Sequence, residues 1–209
     1  DEVITAANTF VATVGAIAEL GARPVFVDCD DTFCMDVSKL EEAITPQTKA
    51  IVPVHFTGYM TDMRKLLPIA EKYQLPIVED ACQSILGAIE GKNAGTWGNT
   101  GAFSLHPLKN LNVWSDGGVI VTDDPELAEK LQLLRNHGLV DRDTVGLMGY
   151  NSRLDTIQAI VGNWLLPQTE EIARIRIENA AYYDKHLKQL SGIQIPPRPK
   201  GFRIVYHLY

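Results

Sequence analysis

Cysteine is scarce in this sequence, and Cys29, Cys34 and Cys82 form no C-x-x-C pair. An odd number without ligand spacing excludes a disulfide framework and points to reduced thiols in a reducing, cytoplasmic setting. Histidine is also sparse, and His55, His106, His137, His186 and His207 make no H-E-x-x-H arrangement, so no metal is expected. No apolar run approaches the ~18 residues that a membrane helix requires. An excess of positive charge is missing: the formal net charge is −7 and the pI near 5.2. That balance argues against nucleic acid or an anionic membrane as partner. Internal repeats and low-complexity tracts are absent. The chain opens on Asp1 rather than Met, so the lack of a leader peptide excludes nothing. What remains is 209 residues, 45% hydrophobic and 22% charged, enough for one substantial core.

Short apolar runs alternate with helical periodicity over roughly the first 135 residues. Strands are expected at Val3–Thr5, Pro24–Asp28, Ala50–His55, Leu75–Asp80, Ala102–Ser104 and Gly118–Thr122. Between them, Asn8 or Thr9 is expected to cap a helix through Val11, Val14, Ile17 and Leu20 to a stop at Gly21. That helix is apolar nearly all round and is expected to be buried. Ser38–Ala43 reads as a short helix, Thr61-Asp62 as the cap of a helix to about Lys72, and Pro125 as the first turn of another to about Asn136. The pattern predicts an α/β fold with a mostly parallel, doubly wound sheet and helices on both faces. From Asp155 the reading turns helical, Ile193–Pro199 is extended, and Tyr206–Tyr209 reads as the start of a strand. We divide the chain into a large domain at 1–154, a helical connection at 155–192 and the start of a smaller domain at 193–209.

In open α/β sheets, ligands sit beyond the carboxyl ends of the strands. His55, Asp80 and the loop from Ser104 to Lys109 fall there. Lys109 stands alone in a nearly uncharged segment, Phe103 to Asn112, leading into Ser115-Asp116-Gly117-Gly118. A desolvated lysine loses its proton more readily and becomes a nucleophilic amine suited to imine formation. The segment alone leaves open that Lys109 is an ordinary loop lysine, and Asp80 alone that it caps a helix from Ala81 onward. Two phosphate motifs fail: Gly95-x-x-Gly98-x-x-Gly101 is not G-x-G-x-x-G, and Gly87 to Lys92 is one residue short of a P-loop. A lysine, a strand-end aspartate and a nearby hydroxyl together suggest pyridoxal phosphate. That cofactor needs an imine lysine and a carboxylate to keep its ring nitrogen protonated.

Eight motifs then occur in a family's order: Thr9 to Thr13, Pro24 to Asp28, Ile51 to His55, Glu79 to Gln83, Phe103-Ser104 through Lys109-Asn110, Asp116 to Gly118, Arg135 to Gly138 and Gly149 to Asn151. Together they resemble the DegT/DnrJ/EryC1/StrS sugar aminotransferases, over essentially the whole chain. The resemblance implies the large domain of the fold-type I pyridoxal-5'-phosphate enzymes. It implies Lys109 as imine lysine and proton shuttle, Asp80 on the pyridine nitrogen and Gln83 at the phenolic oxygen. It also implies Ser104 on the phosphate, Phe10 stacked on the ring and Asn151 reaching the neighbouring subunit's phosphate in a homodimer. By residue type alone, Phe10 reads as a core aromatic. His55 and His106 receive no definite role. Relatives that dehydrate carry histidine at the lysine position, so Lys109 favours transamination. The expected reaction moves an amino group, with glutamate as donor, onto a keto sugar, nucleotide-linked or of the keto-octulosonate type, for surface polysaccharide or lipopolysaccharide precursors. A sugar dehydratase or a non-catalytic regulator on the same fold is the alternative. The family's N-terminal phosphate-binding segment and C-terminal domain are expected to lie outside this sequence, making it an internal fragment.

Overall fold

A computed structural model describes all of residues 1–209. Its first half runs β1 (Glu2–Ala6), α1 (Val11–Glu19), β2 (Arg23–Val27), β3 (Thr48–Val52), α2 (Met63–Tyr73) and β4 (Val78–Asp80). A small hairpin, β5 (Ala88–Ile89) and β6 (Lys92–Asn93), leads to β7 (Thr100–Ser104), β8 (Gly118–Val121) and α3 (Pro125–Leu134). The chain ends with α4 (Thr156–Leu165), α5 (Thr169–Leu187) and β9 (Phe202–Arg203).

β1 pairs in parallel with β2 and β3, β4 pairs in parallel with β7, and β8 runs antiparallel to β7. Parallel bridges at Ile51–Ile77 and Val54–Asp80 join the two halves. The sheet order is therefore β2-β1-β3-β4-β7-β8, mostly parallel, as the alternating pattern predicts. Ile4, Ala6 and Ile51 from the strands, with the bridge residues Val54 and Ile77, meet Met63, Leu66 and Ala70 from α2 in the main core. These α2 positions recur at three- and four-residue spacing, which lays one stripe of the helix on the sheet. Gly101 permits the closest approach: a Cβ there would lie 2.3 Å from the Gly95 Cα, so β7 passes directly against the loop before it.

Four local expectations differ from the structure. α1 is not buried all round; only Thr13 and Ile17 are, while Val11 is 71% and Leu20 82% exposed. Its apolar outer face meets nothing within this chain. Its N-cap position is Phe10, without a side-chain cap, because the Thr9 hydroxyl turns to Thr13 instead. The Ser38–Ala43 helix is two single 3-10 turns, Val37–Lys39 and Glu41–Ala43. Tyr206–Tyr209 is not a strand; it lies against the 56–59 turn, where Val205 N donates to Gly58 O and Leu208 N to Thr57 O. The small sheet β6-β5-β9 has strands of two residues each, too short to leave a pattern.

The helical connection is α4 and α5 with a single 3-10 turn between them at Leu166–Gln168. Segment 193–209 folds back on the sheet-bearing part, burying Ile204 and Val205. Arg198 fastens it, with its Nε 2.8 Å and Nη2 2.7 Å from the two Asp184 carboxylate oxygens of α5.

Candidate active site

Strands β1, β3, β4 and β7 run the same way, so their carboxyl ends open on one edge of the sheet. Asp80 ends β4 and is paired in register with Ala102 of β7, two residues before Ser104. Period-two alternation sends neighbouring strand residues to opposite faces. Glu79 therefore points into the core, fully buried, while Asp80 turns to the half-exposed side.

Asp80 is held by partners far apart in sequence. Its Oδ2 accepts from the Thr13 hydroxyl at 2.6 Å, across 67 residues, and its Oδ1 accepts from Cys82 N at 3.1 Å. Thr13 lies in the first turn of α1, so this bond brings the start of that helix to the end of β4. Phe10, immediately before α1, is 67% exposed. Its ring is free to lie against a flat ligand beside Asp80 instead of filling the core.

Gln83 lies three residues past Asp80. Its Oε1 accepts from Thr57 N at 2.7 Å, which leaves the amide NH2 as a donor. Thr57 takes φ 58, an uncommon value for a β-branched residue, in the turn after His55. Ser104 ends β7, half-buried, and its oxygen accepts from His106 N at 3.3 Å, leaving its proton to donate.

Lys109 sits half-buried at the end of a tight turn. Its N donates to His106 O at 2.8 Å, and His106 Nδ1 accepts from Leu108 N at 3.3 Å. His106 thus shapes the lysine turn. The charge of Lys109 reaches two neighbours. Burial raises the Cys82 thiol pKa, Asp80 adds to that, and Lys109 acts against it. Burial depresses the His207 imidazole pKa to about 4, and Lys109 and then Arg176 push the same way. The charge of Lys109 thus acts on both the Asp80–Cys82 strand end and segment 204–208. Asn110, next in sequence and buried, donates from Nδ2 to Val205 O at 3.1 Å.

Five expected residues, Phe10, Asp80, Gln83, Ser104 and Lys109, thus fall along one edge of the sheet. Asn151 does not join them within the chain. It is exposed and bridged to Asn136, beside the loop after α3. Thr9, Thr13, Thr57 and His207 were not singled out from sequence as site residues. The signal for the first two was present: hydroxyls four residues apart, one just before and one in the first turn of a largely apolar helix. His207 carried no such signal, since only the return of segment 204–208 brings it near Lys109.

The donor set fits pyridoxal phosphate. A carboxylate is tied to the helix start that carries an exposed aromatic, an amide and a hydroxyl each keep a free proton, and the charge of an amine acts on the same strand end. Asp80, Gln83, Ser104, Phe10 and Lys109 are the residues that would hold it.

The family model described as the DegT/DnrJ/EryC1/StrS aminotransferase family matches residues 1–209. A protein of Acidithiobacillus ferrooxidans named UDP-N-acetyl-3-dehydro-alpha-D-glucosamine 3-aminotransferase is 43% identical over 210 residues. That alignment covers 100% of this chain and 57% of the relative. A "pleiotropic regulatory protein" of Geobacillus stearothermophilus is 42% identical over 212 residues, again covering 100% of this chain and 57% of its own length. The crystal structure of Streptomyces venezuelae DesV in complex with a ketimine intermediate superposes with a TM-score of 0.97 at 39% identity, covering 100% of this chain and 57% of that one. The chain spans somewhat over half the length of the curated relatives it matches.

Proposed function

The chain belongs to the DegT/DnrJ/EryC1/StrS aminotransferase family and has the α/β fold of the fold-type I large domain; from that premise we propose that it forms the cofactor-binding part of a pyridoxal-phosphate-dependent sugar aminotransferase. The observation that carries this reading is the meeting of Asp80, Ser104 and the Lys109 turn at the ends of paired strands β4 and β7, with Thr13 and Phe10 of the α1 start beside them. When bound, the cofactor supplies an electron sink. Asp80 holds the proton on its ring nitrogen. Gln83 donates from its amide, Ser104 donates its hydroxyl proton to the phosphate, and Phe10 covers one ring face. Lys109 Nζ anchors the cofactor and moves a proton to and from the substrate carbon.

The acceptor is a keto sugar carried on a nucleotide, with glutamate as donor, and the product feeds polysaccharide or lipopolysaccharide precursors in the cytoplasm. Support comes from the Acidithiobacillus relative, whose name states a 3-dehydro sugar nucleotide as substrate. The division at 154/155 and 192/193 belongs to this reading as well. So does a homodimer: the outer face of α1, and the loop of Met148 (88% exposed) and Tyr150 (62% exposed) next to Asn151, are apolar surfaces that a second copy would cover.

The test is amino transfer by the complete gene product, from glutamate to a panel of UDP- and dTDP-linked 3-keto hexoses and a keto-octulosonate, monitored by 2-oxoglutarate formation. Turnover with a keto sugar is expected. Activity confined to small 2-keto acids overturns the sugar assignment.

A further inference from the structure

The Thr9 and Thr13 hydroxyls form a pair whose direction can be deduced. An ionised carboxylate only accepts, so the 2.6 Å contact between Thr13 Oγ1 and Asp80 Oδ2 uses the single hydroxyl proton of Thr13. The 2.7 Å contact between Thr9 Oγ1 and Thr13 Oγ1 must then be donated by Thr9. The only other acceptor near the Thr9 hydroxyl is Phe10 O, at a long 3.4 Å. The chain of donation runs one way, Thr9 to Thr13 to Asp80.

Helix packing does not account for these hydroxyls. Thr13 is 8% exposed beside Ile17 on the buried stripe of an apolar helix, where valine has the same shape without a hydroxyl to desolvate. Threonine is also a weak helix former. The hydroxyl at position 13 is explained by the carboxylate it meets. A charge-assisted bond of this kind is about twice as strong as a neutral one, and a second donor behind it polarises it further.

We infer that Thr9 and Thr13 are positioning residues that act through Asp80, keeping the shared proton on the ring nitrogen of the bound cofactor and not on the carboxylate. The inference rests on the function proposed above and extends it to two residues that do not touch the cofactor nitrogen themselves. With Cys82 N on Oδ1 and Thr13 on Oδ2, the carboxylate is fixed in rotation and its negative charge compensated from both oxygens. Removing the Thr13 hydroxyl leaves that charge less well compensated. The shared proton then moves toward Asp80, and the ring nitrogen loses part of its positive charge. No atoms are exchanged with an outside reactant; one proton changes its mean position along one hydrogen bond.

The experiment uses the complete gene product loaded with pyridoxal phosphate labelled with 15N in the ring. The wild-type signal is expected in the pyridinium range. Thr13→Val should move it downfield toward neutral pyridine and weaken cofactor binding by roughly tenfold, while Thr13→Ser restores both. Thr9→Val, at a half-buried position outside the helix, should give a smaller shift in the same direction and serves where Thr13→Val does not fold. A wild-type 15N signal in folded Thr13→Val overturns the relay, as does an unmoved signal in Thr9→Val if that is the only folded variant. A wild-type protein that binds no cofactor overturns the proposed function along with the relay; binding with unshifted variants overturns the relay alone.

Discussion

His55 and Glu79 are both fully buried, and their Nε2 and Oε2 atoms lie 2.8 Å apart. Thr61 N donates to His55 Nδ1 at 3.2 Å, so the ring proton is on Nε2 and is donated to Glu79. The carboxylate also accepts from Gly95 N at 2.9 Å, Trp97 N at 2.6 Å and Gly98 N at 2.7 Å. This pair closes the 95–98 loop under β4. It also supports the strand end, where His55 N donates to Asp80 O and Asp80 N to Pro53 O, each at 2.9 Å.

Glu79→Ala should cost about 3–5 kcal/mol in urea unfolding of the complete gene product, since it strips a buried network of its shared acceptor. Burial pushes the Glu79 carboxyl pKa up, but the hydrogen bond from His55, with those from the amides of Gly98 and Gly95, outweighs it and holds the pKa below the ordinary 4.5. The native state therefore binds fewer protons than the unfolded one just below pH 4.5. This contribution is complete above that pH and is lost as pH falls through the lower native value. Glu79→Gln should flatten the acid limb of stability between about pH 5 and 3. An acid limb as steep as wild type would remove Glu79 from that role.

Borohydride treatment of the cofactor-loaded protein should fix the cofactor on Lys109. Peptide mapping decides it. A label on Lys39, Lys49 or Lys92 contradicts the assignment, and Lys109→Ala should retain no covalent cofactor. Lys39 is committed elsewhere: its Nζ lies 3.3 Å from Asp28 and 3.5 Å from Asp36, near the surface.

Much of this site was legible because its chemistry is local in sequence. Lys109 lies in an uncharged loop and Asp80 at a strand end, and both patterns survive in one dimension. Glu79 and Asp80 read as a pair of carboxylates, and only strand alternation separates a core acid from a site acid. Thr13 meets Asp80 across 67 residues, and nothing in spacing announces such a contact. The burial expected for α1 failed for the same reason. Apolar residues all round a helix signal that something covers it, but not that the cover lies in the same chain. The β6-β5-β9 sheet escaped notice because its register is set by tertiary contact and not by a run of alternating residues.

His207 should remain neutral through the physiological range. Burial first, then Lys109 and Arg176, hold its pKa at about 4. Because the folded value lies below the ordinary 6.5, the native state refuses a proton that the unfolded chain accepts. Stability linked to this group is complete above about pH 6.5 and declines toward pH 4. Imidazole resonances tracked by NMR should show His207 titrating well below the ordinary 6.5. Lys109→Ala should raise the His207 pKa; an unchanged value would mean that the lysine head lies away from segment 204–208.

Asn151 is the remaining expected site residue, and its position within the chain separates two outcomes. It is exposed and tied by backbone to Asn136, with none of the site residues among its partners. If it serves a second copy's site, a two-fold arrangement repeats the contact in both sites. Donation to a phosphate dianion is charge-assisted, so Asn151→Ala should weaken cofactor binding more than turnover at saturating cofactor. Mixed dimers give the sharper measurement. Asn151→Ala and Lys109→Ala chains, each impaired alone, should regain activity on mixing. In the heterodimer both defects then fall in one site and leave the other with wild-type residues throughout. Heterodimers that form and recover nothing would put Asn151 in its own chain's site or outside any site.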